Sequence, residues 1–208
     1  MNRVPETVDV NVQRLIDRIK SDESPVYLKV TPEPYAEINE CIPAVRKKIE
    51  KDGGAIQFGW QVWQIPNMII EGEFHAVWKS PTGDLADITP KKYQIDRILF
   101  VPDSNAKYDG AQRNNIRLNI SSNRLVDDFI QICNAQYRLL NKGDRAYKNE
   151  VVLSDEESDL KQILEEAKAI VSTMFSRGAT RNSPCICGSG LKYKRCHGSA
   201  LTSLLSKV

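Results

Sequence analysis

The stretch "AIQFGWQVWQIPNMIIEGEFHAVWKSPTGDLADI" (55–88) decides the fold. Over 55–65 the apolar or aromatic residues Ile56, Phe58, Trp60 and Val62 alternate. Over 68–79 Ile70, Gly72, Phe74, Ala76 and Trp78 alternate against Glu71, Glu73 and His75. Alternation of period two is the pattern of a strand with one face buried. The turn residues "SPTGD" (80–84) then lead into "DLADI" (84–88), a third short strand. Strands joined by such brief connections pair antiparallel, because a parallel crossover needs a dozen residues or more.

Working outward, "TPKK" is a turn before a further strand, "YQIDRILFV" (93–101), and 102–115 is loop. Upstream, Val8, Val12, Leu15, Ile16 and Ile19 recur at helical spacing, and "VYLKV" (26–30) reads as a short strand. A helix follows from about Ile42 to Lys51, with Pro43 in its first turn and "DGG" (52–54) as its stop. Beyond the loop, Leu125 to Leu140 forms a helix, and 141–152 is a polar connection. Ser154 and Glu157 make a capping box for a helix ending at Gly178, whose apolar stripe is Leu160, Ile163, Ala167, Ile170 and Met174. That seam is too short for a stable coiled coil, so packing on the main body is expected. The fold class is α+β: an antiparallel sheet with flanking helices, a helical connector and a small C-terminal zinc module. The expected boundaries are 1–145, 146–178 and 179–208.

Of the 208 residues, 41% are hydrophobic and 27% charged, as in a globular protein. No run of ~18 apolar residues exists, and the N-terminus lacks an apolar signal region, so a cytoplasmic protein without membrane insertion is expected. The net charge of +2 is unevenly spread. Six of the 29 basic residues lie from Arg177 onward with no Asp or Glu, leaving 23 basic against 27 acidic residues before it, a balance of −4. There is no Walker loop, GxGxxG or G-x-S-x-G, so nucleotide hydrolysis and dinucleotide chemistry find no support.

Three of the five cysteines and one of the two histidines crowd into "SPCICGSGLKYKRCHGS" (183–199). Cys185, Cys187, Cys196 and His197 supply three thiolates and an imidazole, the closed four-ligand set that structural Zn2+ prefers. "GSG" (188–190) lets the chain turn around an ion. Zn2+ with three thiolates carries −1, which Lys192, Lys194 and Arg195 offset. A module this small has no core of its own, so the metal would fold it.

These residues resemble the SEC-C motif, known from the tail of the translocase ATPase SecA. Arg181, Asn182, Pro184, the four ligands, "GSG", Lys192, Tyr193 and Lys194 carry the resemblance. It implies zinc binding and a docking role, since the SecA tail binds an export chaperone and is associated with ribosomes. The basic charge of the module also permits contact with RNA or a ribosome, but a single interleaved aromatic, Tyr193, gives no stacking platform. A protein partner is therefore the leading expectation.

In the body, Cys133 falls on the apolar face of its helix and reads as a buried small hydrophobe. Cys41 lies just ahead of a helix start, where unpaired N–H groups and the helix dipole lower a thiol's pKa; a hydrophobic contact at the helix entry is the structural alternative. His75 alternates onto the polar side of its strand. If "SPT" (80–82) is a three-residue loop, 79 pairs with 83 and 75 with 87, so Asp87 faces His75 and can hold its tautomer. A Cys at a helix start, a His on a strand and an Asp on the next resemble the transglutaminase-like and papain-like thiol enzymes. That resemblance covers about Cys41 to Pro90 and implies Cys41 as nucleophile, His75 as base and Asp87 as its orienting group. It identifies no oxyanion donor; Gln57 or Trp60 on the intervening strand, with the Cys41 N–H, are the candidates the sequence offers. Amide hydrolysis, thioester hydrolysis or acyl transfer would follow. The alternative is a non-enzymatic adaptor that binds a client and docks to a ribosome, chaperone or translocase. An RNA-associated protein is a third reading.

Overall fold

In a computed structural model, the chain begins with α1 (Val10–Ile19), capped by Asp9, whose carboxylate accepts from the N–H groups of Asn11 and Val12 at 2.9 Å. Its buried stripe is Val12, Leu15 and Ile16. β1 (Val26–Lys29) leads through a loop to α2 (Cys41–Asp52), which ends at Gly53 (φ 73). β2 (Ala55–Ile65), β3 (Ile69–Lys79), β4 (Leu85–Ala86), β5 (Arg97–Pro102) and β6 (Ile116–Asn119) follow. The structure describes residues 2–148 and 150–208; the expected polar connection over 141–152 includes Asn149, which lies outside them.

The six strands form one antiparallel sheet in the order β1-β5-β2-β3-β4, with β6 also on β3. Val26 pairs with Phe100, and Gln61 with the same Phe100 from the other side, so β5 runs buried through the sheet. This explains the continuous apolar run in "ILFV": a central strand covered on both faces does not alternate. One core cluster gathers Ile42, Ala44 and Val45 of α2 against Ala76 and Ile88. A second joins Leu28, Val77, Ile98 and Phe100.

Two features of the sheet differ from the sequence reading. β6 lies within a stretch with no alternation strong enough to mark it. The hairpin after β3 is also wider than three residues: Lys79 pairs with Leu85 and Trp78 with Ala86. Residues 80–84 form the turn, held by Ser80 N–H and Asp84 N–H bonding to Asp84 O (2.8 Å) and Ser80 Oγ (3.0 Å). The offset from the expected register is two residues. Because side chains alternate with period two, the shift leaves every side chain on its face.

Packing groups the chain into two compact units. The first holds residues 2–66, 70–108 and 115–118; the second holds 67–69, 109–114, 119–148 and 150–208. In the second, α3 (Arg124–Leu140) packs on α4 (Asp155–Ser176), with Phe129 and Phe175 edge to face at 5.4 Å. Thus α3, expected with the sheet, groups with α4. The α4 capping box is present, with Ser154 and Glu157 bonded reciprocally, and Arg145 grips the same Glu157 at 2.7 and 2.9 Å. The buried face of α4 is Leu164, Val171, Met174 and Phe175, while Ile163 is 49% exposed. The expected seam is therefore rotated by about one residue. The apolar surface of α4 is a wide stripe: one flank meets α3, and Ile163 and Ala167 line a groove facing α5 (His197–Leu205).

Candidate functional site

α2 delivers Cys41 as its first residue, half-buried, beside β3. The Cys41 thiol hydrogen-bonds to the His75 ring and accepts from the Ala76 backbone N–H. His75 Nε2 lies 3.1 Å from Asp87 Oδ1, and both residues are buried. Continuing the observed register sets Asp87 opposite Val77, so it reaches His75 diagonally on the same face. The Thr89 N–H donates to the same Asp87 Oδ1 at 3.1 Å and fixes the carboxylate. The structure thus brings Cys41, His75 and Asp87 into one chain of contacts, with Nε2 of the imidazole toward the acid and its other nitrogen left for the thiol.

Two further residues join it. Lys91 Nζ lies 2.6 Å from Asp87 Oδ2, 3.2 Å from His75 Nε2 and 3.0 Å from Gln61 Oε1. Gln61 is 2% exposed, and its Nε2 has no partner. The sequence marks neither: Lys91 lies in the turn "TPKK", and Gln61 is one polar residue in an aromatic strand. A Lys four residues after an Asp is common, so nothing in the sequence marked it. Two of the oxyanion donors expected from sequence are engaged elsewhere, Trp60 Nε1 with Asp103 (3.1 Å) and Gln57 Nε2 with the Phe58 carbonyl (2.9 Å).

The electrostatics follow from these contacts. Burial and the Lys91 charge work to lower the His75 pKa, but the bonds to Asp87 and Cys41 outweigh them and push it up to about 9. Burial pushes the Cys41 thiol up, yet His75, the Ala76 N–H and Lys91 together hold it below its ordinary value. Burial opposes ionisation of Asp87, and His75 and Lys91 hold its carboxyl below the usual range. A depressed thiol beside a raised imidazole favours passage of the thiol proton to the ring.

The second cluster lies in the other unit. Cys185, Cys187, Cys196 and His197 bring one ligand atom each to within 4.8 Å of one another. Cys185 Sγ and Cys196 Sγ stand 3.2 and 3.4 Å from His197 Nδ1, and Cys187 Sγ is 3.5 Å from Cys196 Sγ. These are close to the edges of a tetrahedron around an ion bound at ~2.0–2.3 Å, so the set fits a metal ion. Gly188 (φ 80) and Gly190 (φ 72) supply the left-handed turns between ligands.

The module is anchored rather than free. Tyr193 is 1% exposed and hydrogen-bonds Asp128 of α3, a residue buried on that helix. Arg181 Nε approaches the same carboxylate at 3.3 Å, an ion pair rather than an aligned hydrogen bond. The Tyr193 ring also lies against the Gly198 backbone, where an added Cβ would come within 2.7 Å of it. A sequence signal for Asp128 existed: it sits in "RLVDDFIQI" between buried Leu125 and Ile132.

Residues 181–199 match the SEC-C motif family. Over 35 residues the chain is 51% identical to the protein translocase subunit SecA of Acinetobacter baylyi (strain ATCC 33305 / BD413 / ADP1), covering 17% of this chain and 4% of that protein. The chain thus spans only a small fraction of the length of that relative. No solved structure matches the chain. Among the described residues, no helix is long and apolar enough to cross a membrane.

Proposed function

We propose that the chain is a zinc protein of the cytoplasm in which a SEC-C module docks a Cys-His-Asp thiol hydrolase or acyl-transfer domain to a protein partner. The observation that carries the enzymatic part is the contact chain from the helix-start thiol of Cys41 through His75 to Asp87, with His75 Nε2 and Asp87 Oδ1 at 3.1 Å. Cys41 Sγ attacks the carbonyl carbon of an amide or thioester, and His75 carries the thiol proton. The tetrahedral adduct collapses with transfer of that proton to the leaving amine or thiol, leaving an acyl group on Cys41. Water or a second amine, deprotonated by His75, then displaces Cys41 and takes the acyl group. Asp87 holds the ring tautomer throughout.

For the docking part, the Cys3His donor set suits Zn2+, which would fold the module and hold the Lys192, Lys194 and Arg195 side chains on its exposed surface. Reduced thiolate ligands also suit a reducing compartment. The match to a SecA segment supports a protein partner; the basic surface suits a ribosome or RNA as well.

The test is acylation by p-nitrophenyl acetate followed by peptide mass analysis. One equivalent of p-nitrophenol released in a burst, with an acetyl group on the Cys41 peptide and none in His75→Ala, is the expected result. The deep burial of His75 and Asp87 favours a second reading, in which they form a structural polar network and the domain is an adaptor. In that case no acetyl group appears on Cys41, Cys41→Ala leaves partner binding intact, and Cys187→Ser abolishes it.

A further inference from the structure

The proposed acyl chemistry needs an imidazole that takes a proton and gives it back. A buried carboxylate bonded only to His75 works against the second half of that task, because it holds the imidazolium too firmly. Here Asp87 does not face His75 alone. Its Oδ1 is 3.1 Å from the ring, and its Oδ2 is 2.6 Å from Lys91 Nζ.

We propose that Lys91 is a positioning residue for the Cys41–His75–Asp87 chain, an ammonium held in place by Gln61 and Asp87 that shares the Asp87 charge and keeps His75 able to release its proton. This rests on the thiol chemistry proposed above. The geometry is that of a clamp: Lys91 exposes only 10% of its side chain and reaches Gln61 Oε1 at 3.0 Å, Asp87 Oδ2 at 2.6 Å and His75 Nε2 at 3.2 Å. Gln61 has no other evident role, since its carbonyl oxygen meets Lys91 and its amide nitrogen meets nothing.

Charge balance explains the arrangement. With thiol and imidazole neutral, Asp87 and Lys91 cancel. With thiolate and imidazolium formed, two negative and two positive charges cancel again. Without Lys91 both states would bury a net negative charge, which is costly in a low-dielectric site. The groups facing His75 are Cys41 from α2, Phe100 from β5 edge to face at 6.4 Å, and Asp87 with Lys91 beyond β4, the Lys91 ammonium in turn meeting Gln61 of β2. Of these only Lys91 brings a positive charge, and it opposes the imidazolium.

The experiment is a pH titration of the histidine ring signals by NMR in the full, Zn2+-loaded chain. The sequence has two histidines, so His75 is assigned by its loss in His75→Gln. Lys91→Met should move the His75 step to higher pH by about one pH unit, and Lys91→Arg, which keeps the charge, should leave it near the wild-type position. A residue that only packs would change the melting temperature in Lys91→Met without moving the step, and that result would overturn the inference. If Lys91→Met does not fold, Gln61→Leu, which unclamps the ammonium, is read in its place: a rise of the His75 step supports the inference, and an unmoved step overturns it. The two levels separate cleanly. No acetyl group on Cys41, with a Lys91-dependent His75 step, overturns the enzyme reading alone. An acetyl group on Cys41, with a step indifferent to Lys91, overturns this inference alone.

Discussion

His75 is the residue on which the proposed chemistry and the stability of the sheet unit meet. Its pKa is raised to about 9 in the folded chain, against ~6.5 in an unfolded one. A group that binds its proton more tightly when folded stabilises fully below the unfolded value and loses that contribution as pH rises through the folded one. The contribution of His75 therefore fades between pH 6.5 and 9. His75→Gln is predicted to flatten the decline in urea midpoint across that window; an unchanged slope would contradict it. The residues of this site differed in how far sequence exposed them. Cys41 stood out because a helix start follows it, and His75 because it breaks the apolar alternation of its strand. Lys91 and Gln61 carried no such mark, since their partners are set by how β2, β3 and the segment after β4 converge, which a single sequence does not encode locally.

At the scale of elements, the strands and helices were legible wherever one period ran long enough. β2 and β3 announce themselves over eleven residues each, and the Ser154 capping box fixes the start of α4. What was not legible was pairing. The turn after β3 closes over five residues rather than three because Thr82 Oγ1 and the Ser80 backbone both bond to Asp84. The α4 stripe was misphased because that helix has two neighbours, not one. The anchoring of the module on α3 yields a prediction at this scale. Asp128→Ala leaves the Tyr193 hydroxyl and the Arg181 guanidinium without their shared carboxylate. Loss of about 1–3 kcal/mol from the denaturant stability of the Zn2+-loaded chain is expected, with metal stoichiometry unchanged. A loss of metal with no change in stability would place Asp128 among the metal's supports instead.

Across the whole molecule, the Cys41 thiol lies in one compact unit and the four residues that could hold a metal ion lie in the other. The SEC-C motif was fully legible because its residues all fall within 181–199, whereas the proposed thiol site is assembled from residues 41 to 91 by the sheet. Chelation should therefore act locally: hydrogen exchange is predicted to accelerate over 181–205 on metal removal while β2, β3 and β5 keep their protection. Equal loss in both units would contradict that division. The most direct test of the central claim is the alkylation rate of Cys41 against pH, read peptide by peptide with buried Cys133 as internal control. Fast labelling of Cys41 below neutral pH, lost in His75→Ala, is the predicted result. A Cys41 that titrates like an ordinary thiol, or stays as inert as Cys133, would contradict it.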